Sequence, residues 1–491
     1  MNFAADVLGR LPPQGRALLE RARDGARREW SFQAVGERAA ALAGMLARCG
    51  VRRGDVVMTL IGNRPEWVFA MVGCMRMGAV VLPVTEQLRA GDLRLRLAVA
   101  RPAAIVADER NRAELEAAGP DCPVLLVPDE SLFATAPAPT VDLSPVDPCL
   151  ITFTSGTAGE PKAVVHGQRY LAGQRVQAEH WLAPDAGELV WCTAASGWSK
   201  SARNVFIAPW LRGACALLHD ARFDPVERVA LLQEEAVNVL CMAPTEYRVI
   251  ARRATPPGRG DLRQLLAAGE ALNPEVLGDW RRATGLEIRD GYGQTETGQM
   301  TGAPPRQAAR AGSMGPALPG MRLRVLDGEL TADPTSVSTF FLGYLGEQVT
   351  RAGDGAWNVR DRQRGGPWAT GDLVSEDADG WFHFHGRNDD VIVSAGYRIG
   401  PFEVESALVA HPAVAEAAAV AAPDDERGSV VRAVVVLRDG EPASDELRRA
   451  LQEHVNAQTS PYKYPRIIDF VPELPNTASG KVKRAELRAL G

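Results

Sequence analysis

Two series of short β-rich runs alternate with segments of helical spacing, and this alternation limits the folds open to the chain. The first series spans residues 55–129 and the second spans 189–292. In the first, apolar runs such as DVVMTLI and AAIVAD are separated by segments whose apolar residues recur at helical spacing. Parallel strands need long crossover connections, which are usually helices. We therefore predict an α/β fold in which two α/β subdomains stack on each other.

The pattern changes in the second half of the chain. After about Arg306, strands punctuated by glycine and proline predict a β-barrel-like subdomain. Beyond residue 387, two helical patterns and three strand patterns predict a small α+β unit of an ordinary domain size. We expect a large N-terminal domain over residues 1–386 and a small, mobile α+β C-terminal domain over residues 387–491.

Composition and charge narrow the class of partner. The 491 residues carry a formal net charge of −6 with acidic and basic residues interspersed, so nucleic acid is not expected as a partner. The most apolar window, residues 68–84, is interrupted by Arg76 and two glycines, and we interpret it as a helix followed by a buried strand rather than a membrane span. The seven cysteines show no CxxC pairing, which favours reduced core residues in a cytoplasmic protein over metal ligands.

The segment TSGTAGEPK, residues 154–162, directly follows the apolar run CLITF. Its glycines and hydroxyl residues could present backbone N–H groups to phosphate oxygens, and its lysine could add a point charge. The Walker A pattern GxxxxGK[ST] is not met, because Lys162 follows Pro161. Taken alone, the segment fits both a flexible surface loop and an anion-binding loop.

Four further segments follow it in order, and together the five carry a resemblance. They are AAGEALNP at 267–274, RDGYGQTETG at 289–298, ATGDL at 369–373 with GRNDDVIVSAGYRIGPFEVE at 386–405, and NTASGKVKRAELR at 476–488. This set resembles the adenylate-forming superfamily of acyl-CoA synthetases, adenylation domains and luciferases. Within it, GYRIGPFEVESAL, YKYPR and SGKVKRAELR look most like the medium-chain acyl-CoA synthetases.

The resemblance implies an acid:CoA ligase that uses ATP, Mg²⁺ and coenzyme A. A carboxylate attacks the α-phosphate of ATP to give acyl-AMP and pyrophosphate, and the CoA thiolate then attacks the acyl carbon. One alternative is a stand-alone acyl or aryl adenylating enzyme that loads a separate carrier protein. Another is a binding or regulatory protein with a decayed site, against which the intact motif residues argue. The residues do not indicate whether the chain forms a homo-oligomer.

By the same resemblance, the ATP site draws on all five segments. Its expected residues are Thr154, Ser155, Gly156, Thr157, Ala158, Gly159, Glu160, Pro161, Lys162, Gly269, Glu270, Asp290, Gly291, Tyr292, Gly293, Gln294, Thr295, Asp372, Arg387 and Lys481. The first nine form a mobile loop that holds the β- and γ-phosphates, Tyr292 faces the adenine, and Asp372 accepts from the ribose. Thr295 donates to the α-phosphate or the acid, and Glu296 is both catalytic and the Mg²⁺ ligand. Without the resemblance, YGQTETG also fits a turn with capping threonines, and Asp372 a turn residue.

The expected roles of the C-terminal domain depend on its movement between the two half-reactions. Lys481 enters the site only for adenylation and bridges the acid and ATP, although alone it would be an ordinary surface lysine. Asp389 is the expected hinge. The expected CoA contacts are Ala395, Gly396, Tyr397, Arg398, Arg427, Tyr464, Pro465 and Arg466.

The acyl pocket is the least specific prediction from the sequence. Its expected residues are Gly197, Trp198, Met242, Gly269 and Gly293. In acetate-activating relatives the position of Gly293 carries an indole, so the glycine predicts an open pocket for acids larger than acetate. Met242 also fits a plain core position. An apolar chain or ring is favoured as the acyl group.

Overall fold

A computed structural model describes residues 1–154, 161–269, 274–305, 307–310, 312–353, 355–388, 390–394, 397–424, 428–459, 463–476 and 482–489. The first part of the chain contains β1 (Arg16–Arg21), β2 (Arg27–Ser31), β3 (Val56–Leu60), β4 (Val80–Val84), β5 (Ala104–Asp108), β6 (Val124–Val127) and β7 (Pro148–Phe153). Its helices are α1 (Phe3–Asp6), α2 (Phe32–Arg48), α3 (Pro65–Met77), α4 (Ala90–Ala100) and α5 (Arg112–Ala118).

The second part contains β8 (Ala163–Gly167), β9 (Leu189–Cys192), β10 (Cys215–His219), β11 (Val239–Met242), β12 (Gln264–Ala268) and β13 (Ile288–Gly291). Its helices are α6 (Arg169–Gln177), α7 (Ser199–Ala202), α8 (Ala208–Leu211), α9 (Pro225–Glu234), α10 (Pro244–Arg253) and α11 (Pro274–Thr284). Two π-helical turns, Ala178–Leu182 and Arg203–Ile207, directly continue α6 and α7.

The third part contains β14 (Gly293–Gln294), β15 (Gly298–Gln299), β16 (Ser313–Pro316), β17 (Leu323–Leu326), β18 (Glu329–Ala332), β19 (Gly343–Tyr344), β20 (Val349–Arg351), β21 (Trp357–Val359), β22 (Trp368–Glu376) and β23 (Trp381–Arg387). The last part contains β24 (Ile392–Ser394), β25 (Tyr397–Ile399), β26 (Val414–Asp424), β27 (Gly428–Leu437) and β28 (Ile467–Phe470), with α12 (Pro401–Val409), α13 (Asp445–Gln458) and α14 (Arg484–Ala489).

Local sequence signals account for the ends of the helices. The Ser31 hydroxyl accepts from the Ala34 N–H at 3.1 Å and caps α2. Pro65 opens α3, where its missing N–H costs nothing, and Gly78 ends that helix with a φ of 72°. No helix in the described ranges is long and apolar enough to cross a membrane.

Two seven-stranded sheets confirm the predicted pair of α/β subdomains. The first has the order β19-β8-β7-β4-β3-β5-β6 and the second the order β13-β12-β11-β9-β10-β1-β2. Most pairings in both sheets are parallel. One hydrophobic core joins them, because Val57 and Val81 of the first sheet belong to the same buried cluster as Val190 and Val239 of the second. Strands β1 and β2 were not predicted, since both runs are rich in charged residues.

The C-terminal region follows the prediction, whereas the β-rich region forms an antiparallel sheet that is open over the described residues and not closed into the predicted barrel. Strands β16, β23, β22, β18 and β17 form a five-stranded antiparallel sheet in that linear order. From Ile392 onwards the apolar side chains form clusters of their own, centred on residues such as Leu408, Val431 and Leu451. These clusters support a separate C-terminal unit, while the boundary at 386/387 stays a prediction.

Candidate functional site

The expected nucleotide segments meet at one edge of the second sheet. Strands β11, β12 and β13 are parallel neighbours and end at Met242, Ala268 and Gly291. The segments that follow β12 and β13 begin at Gly269 and Tyr292, so both leave the sheet at its carboxyl edge. This edge is where α/β sheets bind their ligands.

The phosphate-loop segment connects two strands of the first sheet. Strands β7 and β8 pair antiparallel, with Phe153 opposite Ala163, and the Thr154 N–H donates to the Lys162 carbonyl at 2.9 Å. The Lys162 ammonium lies 3.2 Å from a Glu347 carboxylate oxygen and 4.6 Å from the centre of the Tyr344 ring. Its side chain is 56% exposed, so it can exchange this surface pair for an anionic ligand at little cost.

Tyr344 connects this loop to Glu296. Its hydroxyl donates to Glu296 Oε1 at 2.9 Å, while β19, which carries it, pairs with β8 through Val164. Burial raises the pKa of the Glu296 carboxyl above its ordinary value. The sequence reasoning missed Tyr344 and Glu347, because only the long-range pairing of β19 with β8 brings them to the site.

Asp372 is the centre of a buried hydrogen-bond network. It stands opposite Arg387 on the β22–β23 ladder, and Arg387 Nη1 donates to Asp372 Oδ1 at 3.2 Å. The other oxygen, Oδ2, accepts from the Tyr292 hydroxyl and from Gln294 Nε2, the latter at 2.9 Å. Asp372 is 4% exposed, and burial raises the pKa of its carboxyl. The structure thus brings together four of the expected nucleotide residues.

Gln294 has a different role from the expected ATP contact. Its amide nitrogen also donates to the Thr370 carbonyl at 2.7 Å, and its amide oxygen accepts from the Trp368 indole at 3.0 Å. With both ends of the amide held by protein groups, Gln294 orients Asp372 rather than offering the amide to a nucleotide. The Tyr292 hydroxyl is likewise occupied, which leaves the ring face for an adenine.

Thr295 and Asp290 flank this network. The Thr295 carbonyl lies 2.9 Å from His166 Nε2, and burial lowers the pKa of that imidazole to about 3, so the neutral ring donates to the carbonyl. Asp290 Oδ1 accepts from the Gly291 N–H at 2.8 Å. Desolvation by burial raises the pKa of the Asp290 carboxyl to about 8.

The structure gives the glycine at 293 a reason other than an open pocket. A Cβ atom there would lie 1.9 Å from the Gly298 carbonyl oxygen, because β14 and β15 form a close antiparallel pair. No side chain fits without moving that backbone. The glycine at 293 therefore does not by itself indicate an open acyl pocket. The expected preference for acids larger than acetate stays a proposal.

Of the other residues expected in the acyl pocket, Gly197 and Trp198 directly precede α7, whereas Met242 lies in the core. Gly197 has a φ of 90°, and a Cβ there would lie 2.3 Å from the Thr85 N–H nitrogen, where β4 has just ended. Trp198 is half-buried and immediately precedes α7. Met242 was wrongly assigned: it is 2% exposed and packs with Leu240 and Tyr247 in the core under the helices of the second subdomain. Because strand side chains alternate, its neighbour Cys241 faces the opposite core.

The expected CoA contacts lie partly in described residues. The Arg466 guanidinium is 5.2 Å from the centre of the Tyr464 ring, and Gln452 Nε2 donates to the Pro465 carbonyl at 3.0 Å. Tyr397 and Arg398 belong to β25, whose backbone pairs with β24. Twelve expected site residues lie outside the described residues: Ser155, Gly156, Thr157, Ala158, Gly159, Glu160, Glu270, Asp389, Ala395, Gly396, Arg427 and Lys481.

The residues on either side of Lys481 are fixed by contacts that the sequence did not reveal. A β-bridge joins Asn476 to Val482, and the two flank the segment that contains the lysine. Arg484 then binds the Glu405 carboxylate at 2.7 and 2.9 Å. Its guanidinium also lies 3.6 Å from Asp390, beside the expected hinge.

Known proteins match the chain along its length. A family model described as AMP-binding enzyme matches residues 10–338, and one described as AMP-binding enzyme C-terminal domain matches residues 403–481. Acyl-coenzyme A synthetase ACSM3, mitochondrial, from Mus musculus is 37% identical over 521 residues, which cover 99% of this chain and 90% of that protein.

Solved structures agree with this match. The Brucella canis acyl-CoA synthetase is 32% identical, with a TM-score of 0.74 over 100% of this chain and 94% of that chain. A benzoate CoA ligase from Burkholderia xenovorans LB400 is 25% identical, with a TM-score of 0.87 over 99% of this chain and 100% of that chain. The chain therefore belongs to the adenylate-forming family of AMP-binding enzymes, in which its relatives include acyl-CoA synthetases.

Proposed function

We propose that this protein is an AMP-forming acid:CoA ligase that activates a carboxylic acid larger than acetate, whether medium-chain, branched or aryl. Enzymes of this kind use ATP, Mg²⁺ and coenzyme A. The observation that carries the proposal is that the segment leaving β13, which carries Glu296, is joined to Asp372 and, through Tyr344, to Lys162. Tyr292 connects that segment to Asp372, and Tyr344 connects Glu296 to the phosphate loop.

These residues suit the first half-reaction. An attacking carboxylate and a nucleoside triphosphate repel each other, so cations and oriented donors must hold them in line. We assign Asp372, oriented by Arg387 and Gln294, to the ribose hydroxyls, and Lys162 to the terminal phosphates. Thr295 lies beside the α-phosphate position, with its carbonyl fixed by His166. Lys481 would complete the site from the C-terminal domain.

The donor set also suits a magnesium ion. Within the described ranges no three His, Cys, Asp or Glu side chains group together as an all-protein metal site. Magnesium in phosphate-transfer sites is ordinarily held by one or two carboxylates together with substrate oxygens and water. Glu296 would supply that carboxylate, and the bound ion would neutralise charge on the phosphates.

Pyrophosphate release tests the proposal. The purified chain is incubated with ATP, Mg²⁺ and C2 to C12 alkanoic and aryl acids, with and without CoA. We expect acid-dependent release for acids beyond acetate and CoA-dependent formation of a thioester. Absence of release across a broad panel would refute the ligase proposal, whereas acyl-AMP that accumulates despite CoA would favour loading of a carrier protein.

The cellular location and the oligomeric state of the protein are two further parts of this proposal. The named relative is a mitochondrial protein, while we expect this chain in the cytoplasm, and fractionation of cells that express it distinguishes the two. The possibility of a homo-oligomer is tested by light scattering of the purified protein.

A further inference from the structure

A cavity of about 640 Å³ lies at one end of α3, away from the candidate site. The other end of the helix begins at Pro65, beside Asn63, whose amide donates to the Ala194 carbonyl at 3.1 Å in the segment that leads to Trp198. Arg76 lines the cavity from the last turn of α3, about 17 Å from Pro65 along the helix axis at 1.5 Å per residue. A molecule bound in this cavity would therefore not be the acid that is adenylated.

The walls of the cavity are mostly apolar. Leu8 of a 3₁₀ turn, Phe32 of α2 and Val72 of α3 line it, and all three side chains are buried. The exposed residues Gln33 and Glu37 line the side that meets solvent, where Gln33 Nε2 donates to Glu37 Oε1 at 2.8 Å. Sites for small molecules typically enclose about 300–1,000 Å³ and combine apolar walls with a few polar groups. The cavity has the size and the lining of such a site.

Gly36 keeps part of this space open. It lies within α2, although glycine is a poor helix former. Outside its own helix, a Cβ atom at this position would meet only Leu8 Cδ2, at an ordinary contact distance of 3.7 Å. At Gly44 and Gly73, by contrast, a Cβ atom would lie within 3 Å of a backbone carbonyl oxygen. Close packing of two backbones thus accounts for those two glycines and not for Gly36, which borders the cavity.

Arg76 supplies the positive charge of the cavity. Its Nε donates to the Ala138 carbonyl at 2.6 Å, and in the described part of the chain no carboxylate forms an ion pair with its guanidinium, the exposed Glu37 included. Burial lowers the pKa of the Arg76 guanidinium, because the cation is partly removed from water with no anion beside it. The two Nη atoms suit a carboxylate, which can accept two parallel N–H bonds from a guanidinium.

We propose that this cavity is a second binding site for an apolar carboxylic acid, with the carboxylate on Arg76 and the chain or ring against Leu8, Phe32 and Gly36. The inference goes beyond the proposed ligase function, because none of these residues belongs to the adenylation site and binding needs no turnover. The charge of Arg76 favours an anion over a neutral molecule of the same shape. The apolar walls favour a single carboxylate over a diacid.

Isothermal titration calorimetry with octanoate tests the site. The purified chain is first saturated with octanoyl sulfamoyladenosine, a non-hydrolysable analogue of acyl-AMP that blocks the proposed active site. We expect octanoate to bind at one additional site per chain. Its affinity should exceed that of hexanoate by about fourfold for each added methylene, the gain typical of burying that group. Octanol, which has the same chain without the charge, should bind about 10-fold more weakly than octanoate.

Two pairs of variants connect this binding to the cavity. Gly36→Leu fills the space and should abolish the additional octanoate site, whereas Gly36→Ala leaves most of the space and should bind octanoate like the wild type. Arg76→Gln removes the charge and keeps a donor for the Ala138 carbonyl, so it should weaken octanoate binding by about 10-fold or more and leave octanol binding unchanged. Arg48→Gln removes an exposed arginine from the last turn of α2 and should change neither. Melting temperatures show whether each variant is folded.

The results that would overturn this inference differ from a failure of the ligase proposal. Absence of an additional octanoate site, additional binding that survives in Gly36→Leu, or equal affinity for octanol and octanoate would each contradict it. A dimer that light scattering detects and that Gly36→Leu dissociates would mean that a second copy of the chain covers the cavity instead. If the acyl-AMP analogue does not bind, the ligase proposal is in question, and the difference in octanoate stoichiometry between the wild type and Gly36→Leu still decides this inference.

Discussion

The hydroxyl of Tyr344 orients the Glu296 carboxylate. It donates to one oxygen of that carboxylate, while the ring lies against the Lys162 ammonium. Loss of a hydrogen bond that orients a metal ligand typically costs 10- to 100-fold in metal affinity or activity. We expect Tyr344→Phe to raise the Mg²⁺ concentration that gives half-maximal pyrophosphate release by about 10-fold, because the ring is kept and only the hydroxyl is lost.

Glu347→Gln is the matched comparison for that variant. It removes the ion pair with Lys162, yet leaves the contact between Tyr344 and Glu296 in place. Glu347→Gln should change the KM for ATP. It should leave unchanged the Mg²⁺ concentration that gives half-maximal pyrophosphate release. Equal Mg²⁺ dependence in Tyr344→Phe and the wild type would show that the hydroxyl does not orient Glu296.

The raised pKa of Asp290 predicts that the stability of the folded protein depends on pH. Its pKa of about 8 lies above the ordinary value of 3.8, so the folded chain holds a proton that the unfolded chain has released between these pH values. Stability is therefore lost as pH rises through this window, by about 1.4 kcal/mol per pH unit at most. Asp290→Asn cannot ionise and should lose less stability between pH 5 and 8, which melting temperatures measured against pH would show. Parallel curves for the two proteins would mean that Asp290 is ionised in the folded state.

Local sequence patterns predicted the strands and helices, whereas the pairing of distant strands determined which side chains meet at the candidate site. The alternation of apolar runs located β3 to β6 and β9 to β13, since each strand has its own composition. The partners of Asp372 were not predictable in this way. Gln294 reaches Asp372, and Trp368 reaches Gln294, only because β14 and β22 come together. Met242 was misassigned because the face of a strand depends on what covers it.

The β14–β15 pair gives a prediction about Gly293. A methyl group there would collide with the Gly298 carbonyl, and overpacking of this kind typically costs about 1–3 kcal/mol. Gly293→Ala should therefore lower the free energy of unfolding and the activity together. Gly91→Ala is the control, because a Cβ at that position in α4 meets nothing within 4 Å. A stable Gly293→Ala enzyme with altered chain-length preference would restore the interpretation as a pocket residue.

The order of five motifs along the chain predicted the family, whereas contacts between residues far apart in the chain determine how its domains act together. The C-terminal unit has its own core, and among the described residues its contacts with the rest of the chain include the hydrogen bond from Arg252 to the Ala415 carbonyl and the packing of Phe402 on Phe384. Relative movement is the general expectation for a domain that has its own core, so this unit can reorient between half-reactions. The sequence could indicate such a unit but not its contacts, because those depend on side chains far apart in the chain.

The lysine at 481 tests whether that reorientation occurs. Its segment is flanked by the Asn476–Val482 bridge and by the ion pairs of Arg484, so movement of the unit would carry the lysine with it. If Lys481 acts only in adenylation, Lys481→Ala should lower pyrophosphate release by about 100-fold or more, the magnitude typical of a lost transition-state donor. Thioester formation from supplied acyl-AMP and CoA should persist. Lys483→Ala, which removes an exposed lysine paired with Glu486 at 2.8 Å, should leave both steps intact. Equal loss of both steps in Lys481→Ala alone would mean that one arrangement of the two units serves the whole reaction.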